Sequence, residues 1–378
     1  MENTHYHIVS LTTNFVVCLK FDDQPGFLFF DFFMNRSTIK DVASLAGVSD
    51  TTVSLAFQSG SRISSATRER VLSAAAQLSY TPNLAAKHLR NGSSNTLGFL
   101  VNDITNPFYS RMFRKLEGLA LHHGYTLLFV GSNWSLEKEQ YLFEQLIQMR
   151  VCGVLMCLCE KSSQVLQPLT RHRIPYIAVD SHPDWYAGAY VGNDFRMAGE
   201  LAARHLYEQG CRRLAYFSAD RSLSYLSPFV KMREHFLASL QELGLAERQV
   251  DLVEAGLSIE AGRLAFKQAA AKGRRYDGVF CANDLCAMGV MEAAEELGQS
   301  PGKQIAIVGI DDMEVSSFAR VSLSSIRQPY EQIAEKAMRE LLRAIQSKTM
   351  PKIQLCLPAE LVVRNSSQLA NRRKTVNA

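Results

Sequence analysis

The sequence predicts a small all-α headpiece followed by a larger α/β core of two doubly wound parallel-sheet lobes. Three observations predict this division. Apolar side chains between residues 37 and 80 recur at three- and four-residue spacing, which is typical of short amphipathic helices. Residues 91–95, NGSSN, form a polar linker. From residue 96 onward, short apolar runs alternate with helical patterns, which indicates parallel sheets covered by helices on both faces.

The chain has 378 residues, more than one typical core holds, and its patterns divide it into five segments. The first segment is expected to be a start-site extension or a disordered arm, because Met34 stands directly before the first helical pattern. The polar, basic tail is expected to be disordered. The segments are the extension or arm (1–33), the headpiece (34–81), a hinge helix and linker (82–95), the two-lobed core (96–364) and the tail (365–378).

Three short helices are predicted in the headpiece. Gly47 follows the first helix, where the chain needs a left-handed turn that glycine adopts readily. Ser49 can cap a second helix over residues 50–57, which turns Val53 inward. A third helix is predicted over residues 63–80. In the first helix the apolar residues Ile39, Val42, Ala43 and Ala46 share one face, and in the third helix Val71, Leu72, Ala75 and Leu78 recur at helical spacing.

The first two helices form a helix-turn-helix, a motif whose second helix lies in the DNA major groove. The charge distribution agrees with a polyanionic partner. Residues 34–95 hold seven Lys and Arg against three Asp and Glu, and this excess of four equals the net charge of +4 of the whole chain. A basic headpiece on a neutral core is typical of a nucleic-acid-binding protein.

The core is predicted to be a regular succession of strands and helices. Strands are expected over residues 96–101, 125–131, 152–158, 176–179, 190–191, 213–218, 278–282 and 306–310. Helices are expected over residues 107–123, 136–149, 162–172, 196–209, 230–243, 259–271 and 332–345. The eight cysteines are scattered and complete no metal-ligand spacing, so we expect buried, reduced thiols. No apolar run approaches the length of a membrane span.

Several motifs resemble a known family. TIKDVA (38–43), AGVS (46–49), TRERV (67–71) and YTPN (80–83) resemble the headpiece of the lactose/galactose repressor family of bacterial transcription regulators. The family's effector-binding core, which has the fold of periplasmic sugar-binding proteins, is resembled at DITNPFY (103–109), AND (282–284), GIDD (309–312) and LSSIRQP (323–329).

The resemblance implies a cytoplasmic, sequence-specific transcriptional regulator, most often a repressor, that binds operator DNA as a homodimer. It also implies a small-molecule effector between the two lobes, such as a sugar, a sugar derivative or a nucleobase-like compound, and no cofactor. Two other classes fit the sequence less well. A solute-binding protein would need a secretion signal and no headpiece, and an enzyme would need a nucleophile elbow, a phosphate loop or a metal site.

By resemblance, the base-reading residues are Asp50, Thr51 and Leu55. Thr51 can contact thymine and Leu55 offers apolar contact, whereas Asp50 either accepts from the cytosine amino group or complements the helix dipole. The residues suited to phosphates or sugar edges are Ser49, Thr52, Ser54, Gln58 and Arg62. In the family's hinge a leucine wedges between base pairs in the minor groove. Leu89 matches that leucine, with Lys87 and Arg90 beside it, although Leu89 could instead be a linker residue packed on the core.

The positions that match the family's effector pocket are Phe108, Asp194, Arg233, Asn283 and Asp311. These residues are expected at or beyond the carboxyl ends of strands, where open parallel sheets bind ligands. For the acidic residues the alternative is a solvated loop carboxylate or a helix cap. The family's arginine precedes a glycine–aromatic pair by three residues, so Arg233 is displaced by one position and His235 replaces the glycine. Leu257 aligns with a position that often holds a stacking aromatic residue.

Overall fold

The structure is a computed structural model that describes residues 7–11, 14–21, 24–29, 37–58, 60–82, 94–158, 163–223 and 226–369, and it divides into two units, residues 1–92 and 93–378. In the first unit, strands β1 (His7–Leu11), β2 (Asn14–Phe21) and β3 (Gln24–Phe29) form an antiparallel sheet. The sequence analysis assigned no element to this stretch.

The headpiece consists of three helices, α1 (Ile39–Ala46), α2 (Asp50–Ala56) and α3 (Ser65–Gln77). Thr38 and Asp41 form a capping box at the start of α1, and Gly47 ends that helix with a φ of 61°. Val42, Val53 and Val71 are fully buried where the helices meet. Leu72 of α3 lies outside this apolar cluster, with its side chain 42% exposed.

A single arginine secures the end of α2 against α3. Arg68 donates from Nη1 to the carbonyl of Ala56 at 2.9 Å and from Nη2 to the carbonyl of Gln58 at 3.0 Å. Its Nη2 also donates to the Ser61 hydroxyl at 2.7 Å. These bonds satisfy carbonyl groups that a helix C-terminus leaves without intrahelical partners. The position of α2 is therefore fixed by contacts within the headpiece.

The core contains two six-stranded sheets, one for each lobe. In the N-lobe all neighbouring strands are parallel, in the order β14-β8-β7-β6-β4-β5. These strands are β4 (Thr96–Val101), β5 (Thr126–Gly131), β6 (Gly153–Met156), β7 (Tyr176–Asp180), β8 (Tyr190–Asn193) and β14 (Gln354–Leu357).

The C-lobe sheet has the order β10-β9-β11-β12-β13-β15, and only its last pair is antiparallel. Its strands are β9 (Leu214–Ser218), β10 (Val250–Glu254), β11 (Gly278–Cys281), β12 (Ala306–Ile310), β13 (Ser324–Arg327) and β15 (Glu360–Val362). The prediction of two doubly wound lobes is confirmed, with one antiparallel edge strand added.

Helices cover both sheets. They are α4 (Pro107–His122), α5 (Leu136–Gln148), α6 (Gln167–Arg171), α7 (Phe195–Glu208), α8 (Ser227–Glu242), α9 (Ile259–Ala271), α10 (Asp284–Glu296) and α11 (Tyr330–Ser347). Helix α11 follows β13 of the C-lobe in sequence but packs on the N-lobe, where its Ile333 and Leu341 join the apolar cluster of Leu97. None of these described helices is long and apolar enough to cross a membrane.

Several strands and one helix of the core were not predicted from the sequence, and the extent of one predicted helix is wrong. The elements β10, β13, β14, β15 and α10 were not assigned, since three of these strands have only three or four residues, too few to establish a period. Residues 163–166 form a 3₁₀ helix before α6, so the helix expected over residues 162–172 is interrupted. The six cysteines whose side chains the structure describes form no disulfide; four of them are buried as expected, but Cys152 is half-buried and Cys356 is exposed.

Two helix pairs of the C-lobe approach each other at glycines. A Cβ atom added at Gly289 of α10 would overlap the carbonyl oxygen of Ile259 in α9. In the same way, a Cβ atom at Gly199 of α7 would overlap the carbonyl oxygen of Met232 in α8. Backbone atoms cannot swing aside as side chains do, so these glycines permit the observed interhelical distances.

We expect Gly289→Ala to destabilise the core by about 1–3 kcal/mol, because overpacking forces α9 and α10 apart. Gly118→Ala is the matched control in α4, since its added methyl group would meet no atom within 4 Å. That change should stabilise the helix by about 0.5–1 kcal/mol. Urea denaturation of the full chain measures both, and equal stabilities would contradict the close packing.

Candidate functional site

The headpiece presents one polar surface along α2. Thr51 is exposed, while Asp50, Thr52, Ser54 and Leu55 are partly exposed and Val53 is buried on the opposite side. The structure therefore brings the five predicted contact residues of α2 to the surface. Gln58 lies at the end of the helix and is partly exposed, and Arg62 is exposed in the following turn.

Two of the predicted phosphate contacts also stabilise the helix itself. The Ser49 hydroxyl accepts from the backbone N–H of Thr52 at 3.2 Å and lies 2.9 Å from the Thr52 hydroxyl. Ser49 is thus the N-cap of α2, as the sequence predicts. The predicted hinge contacts Lys87, Leu89 and Arg90 lie outside the described residues and stay predictions.

A cleft between the two lobes of the core holds about 510 Å³ of space, part of which is open to solvent. Its polar lining includes three carboxylates, three side-chain amides and a phenol, and aromatic rings cover much of the remaining wall. Both lobes contribute. The polar residues are Asp103, Asp180 and Asp311, then Asn106, Asn283 and Gln328, with Tyr109; the aromatic residues are Phe108, Trp134, Phe195 and Phe229.

Asp180 is the N-lobe carboxylate of the cleft. It is the last residue of β7 and its backbone has a φ of 67°, which turns the chain sharply at the strand end. Its Oδ2 accepts from the Tyr109 hydroxyl at 3.0 Å and its Oδ1 accepts from the Asn193 amide at 2.5 Å. Burial raises the pKa of Asp180 to about 6, although both hydrogen bonds oppose the rise.

Asp311 is the C-lobe carboxylate and follows β12 directly. Its φ of 116° lies where residues with a side chain rarely occur. Its Oδ1 accepts from the Gln328 amide at 2.5 Å, and its Oδ2 accepts from the Asn106 amide of the N-lobe at 3.1 Å. Burial and the carboxylates of Asp284 and Asp180 raise its pKa well above the usual range for aspartate.

The turn that carries Asp311 is anchored by its neighbour Asp312. The Asp312 carboxylate accepts from Arg327 at 2.7 Å and from Arg364 at 2.6 Å. Its carbonyl oxygen accepts from Arg111 of the N-lobe at 2.7 Å. Beneath the turn, Asp284 accepts from the Met313 backbone N–H and from two serine hydroxyl groups, and burial raises its pKa to about 7. The bond from Arg111 to the Asp312 carbonyl is thus a second contact between the lobes, beside the cleft.

Three of the predicted effector residues line the cleft, namely Phe108, Asn283 and Asp311. Asn283 already uses its amide within the C-lobe. Its oxygen accepts from the Cys286 N–H at 2.8 Å and its nitrogen donates to the Leu257 carbonyl at 2.8 Å. Asn283 therefore shapes the wall and starts α10, in addition to facing the cleft.

The other two predicted residues do not reach the cleft. Asp194 is the N-cap of α7 and accepts from the N–H groups of Arg196 and Met197, both at 3.1 Å. Arg233 lines a different cavity, beside Tyr216 and the edge strand β10. Met232 occupies the cleft wall instead. The placements expected for Asp194 and Arg233 are therefore corrected. The Asp194 carboxylate caps a helix, and the Arg233 side chain projects from another face of α8.

Sequence reasoning missed most of the polar residues of the cleft. Asp180 stands at a strand end, so the rule that predicted Asp311 could have found it as well. Asn106, Tyr109 and Gln328 lie inside the motifs DITNPFY and LSSIRQP, which were recognised without assigning these residues. Trp134 carries no motif signal and reaches the cleft only through the fold.

Comparison with known proteins gives consistent results. The family model for bacterial regulatory proteins of the lacI family matches residues 38–83, and the one for a periplasmic binding protein-like domain matches residues 203–367. The HTH-type transcriptional repressor PurR of Erwinia tasmaniensis is 32% identical over 318 residues, which cover 82% of this chain and 91% of that repressor. PurR of Vibrio campbellii is 28% identical over 336 residues, 89% of this chain and 100% of the repressor.

Solved structures agree in fold. A lac repressor dimer bound to operator and the anti-inducer ONPF has a TM-score of 0.75 at 24% identity and covers 89% of this chain and 100% of its own. A complex of the transcriptional regulator CelR with cellobiose has a TM-score of 0.64 at 25% identity, covering 88% and 100%.

These relatives and the fold define a DNA-binding transcriptional regulator with an effector-binding core of the periplasmic-binding-protein type, and not an enzyme. Within that class the chain belongs to the lacI family of bacterial regulatory proteins.

The raised pKa of Asp180 predicts a pH-dependent stability of the core. A carboxyl whose pKa is higher in the folded state stabilises that state when protonated, and this contribution is lost as the pH rises through about 6. Asp180→Asn should therefore be more stable than the wild type at pH 7.5, by about 1–3 kcal/mol, and should lose this advantage near pH 4. Its amide can still accept from Asn193.

Chemical denaturation at several pH values measures the difference. Glu295→Gln is the control, because Glu295 is exposed on α10 and its neutralisation should change the stability little at any pH. A stability difference between Asp180→Asn and the wild type that does not change with pH would contradict the assignment.

Proposed function

We propose that this regulator binds operator DNA through α2 and the hinge, as a homodimer in the cytoplasm, and that an effector in the interlobe cleft sets its affinity for that DNA. The observation that carries the proposal is the bond between Asn106 and Asp311. These side chains line the cleft and belong to different lobes. A ligand that competes for either side chain must change the contact between the lobes.

A change in the angle between the lobes can act on DNA through residues 82–95. In a dimer these paired segments are brought together or moved apart, and only adjacent hinge segments can fold as helices on the operator. The effector shifts this balance only through its different affinities for the two arrangements. A homodimer is expected because one headpiece reads a half-site.

Within the headpiece, we propose that Asp50, Thr51 and Leu55 read base edges. Phosphates and sugars are then bound by Ser49, Thr52, Ser54, Gln58 and Arg62. In the hinge, Leu89 is proposed to enter the minor groove between Lys87 and Arg90. In the cleft we retain Phe108, Asn283 and Asp311 as effector contacts and add Asp180, Asn106 and Gln328.

Thr51→Ala tests the reading surface. Because Thr51 is exposed, the headpiece should keep its stability, whereas operator affinity should fall by on the order of 1–3 kcal/mol. Ser73→Ala is the matched control, since Ser73 is exposed on α3, away from the reading face. Gel-shift titrations use a duplex selected from a random library and a scrambled duplex. Unchanged discrimination between these duplexes in Thr51→Ala would remove the residue from the reading surface.

Asp311→Ala tests the coupling between the cleft and DNA. The variant should keep its basal operator affinity within a few fold, because the headpiece is untouched and Arg111 still joins the lobes through the Asp312 carbonyl, but should lose the response to effector. The measurement is an operator titration with and without a metabolite extract that changes wild-type affinity. Asp220→Ala provides an exposed aspartate outside the cleft as control. A full response in Asp311→Ala would exclude Asp311 from the effector site.

A further inference from the structure

The cleft has acidic groups but no cationic side chain among the described residues that line it. Asp103, Asp180 and Asp311 all contribute to its surface. Asp180 and Asp311 are 95% buried, and each accepts only neutral hydrogen-bond donors: a phenol and an amide for Asp180, and two amides for Asp311. Buried carboxylates without a counter-charge are costly to ionise. The cleft therefore lacks a positive charge.

The basic residues beside the cleft are engaged elsewhere. Arg111 donates to the Asp312 carbonyl and lies over the Tyr330 ring, 4.5 Å from its centroid. Lys231 forms an ion pair with Asp184 at 2.9 Å. His182 stacks on a tyrosine ring, and burial lowers its pKa to about 4, so it is neutral at physiological pH. None of these three residues lines the cleft.

The rotational orientation of α8 about its axis explains why Arg233 does not line the cleft. Pro228, Phe229 and Met232 lie on the face of α8 that lines the cleft. Arg233 is one position further, which turns its side chain about 100° around the helix axis, toward the cavity beside β10. Met232 is 1% exposed. An apolar side chain therefore occupies the position from which an arginine could have balanced the negative charge of the carboxylates.

The remaining walls favour a cation as well. The rings of Phe108, Trp134 and Phe229 line the cleft, and aromatic faces attract cations that are removed from water. A ligand with a carboxylate or phosphate would instead meet three acidic side chains and no basic one. A neutral polyol could form hydrogen bonds but would leave the carboxylates without a counter-charge.

We propose that the effector is a small organic cation, such as an amino sugar or a comparable amine, whose protonated amine lies against Asp180 and Asp311. The inference rests on the proposed function of the cleft and adds the charge class of its ligand. The ammonium group supplies the missing positive charge, and the apolar part of the ligand packs against the aromatic rings.

Binding of such a ligand is coupled to protons. An ammonium group favours the ionised carboxylates, so binding releases protons near neutral pH and strengthens as the pH rises from 5.5 to 7.5. Tyr109 is the other titratable group that contacts Asp180, and burial raises its pKa further above this interval, while the carboxylates that act on Asp311 are Asp180 and Asp284. Calorimetry in two buffers with different ionisation enthalpies measures the released protons.

The charge class is tested with a metabolite extract and the full chain. A deproteinised extract of bacterial cells is separated on cation- and anion-exchange resins at pH 7 into cationic, anionic and neutral fractions. The cationic fraction should raise the melting temperature of the protein, since a ligand that binds the native state stabilises it. A rise confined to the anionic or the neutral fraction overturns the proposal but leaves effector binding intact. No rise with any fraction or with the whole extract counts against effector control itself.

Variants assign the effect to the cleft. Asp311→Asn keeps the shape of the side chain and should weaken binding from the cationic fraction at least tenfold. Met232→Arg places a cation in the cleft and should abolish that binding. Arg233→Met removes a cation outside the cleft and should leave the response unchanged. If Met232→Arg does not fold, Asp311→Asn decides: an undiminished response to the cationic fraction overturns the proposal.

Discussion

The turn after β12 is the constraint on which the geometry of the core depends. Asp312 accepts from Arg327 at the end of β13, from Arg364 beyond β15 and, through its carbonyl oxygen, from Arg111 in the N-lobe. These bonds hold a backbone with positive φ values at two consecutive residues. Such a conformation persists only where the surroundings enforce it. The same bonds therefore fix the position of Asp311 and the approach of one lobe to the other.

This arrangement separates two kinds of aspartate that lie side by side in sequence. Asp312 has two guanidinium partners and acts as a structural anchor, whereas Asp311 has only amide partners and faces the cleft. Asp284, below them, is satisfied by three donors and supports the turn without reaching the cleft. Among these buried carboxylates, Asp311 retains the capacity to gain from an additional charged partner.

Local chemistry was readable from the sequence. The cap of α2, the turn at Gly47 and the exposed positions of α2 depend on residues a few positions apart, and the structure agrees with each of these predictions. Phe108 and Asp311 followed from motifs placed at strand ends. The prediction that Arg233 lines the cleft was wrong, because the packing of α8 on α7 decides which of two adjacent helix positions faces the cleft. The bond between Tyr109 and Asp180 joins residues 71 positions apart, and no local pattern encodes such a pair.

After most of the C-lobe, the chain passes back to the N-lobe through α11 and β14, and this order affects how the protein folds during its synthesis. Strand β14 completes the first sheet and helix α11 covers one of its faces, although both are made after all strands of the C-lobe except β15. A nascent N-lobe thus leaves the ribosome with one sheet edge open and one apolar face uncovered. The headpiece needs only residues close to one another and can fold at once. We therefore expect the first lobe, rather than the headpiece, to be the part most exposed to aggregation during synthesis.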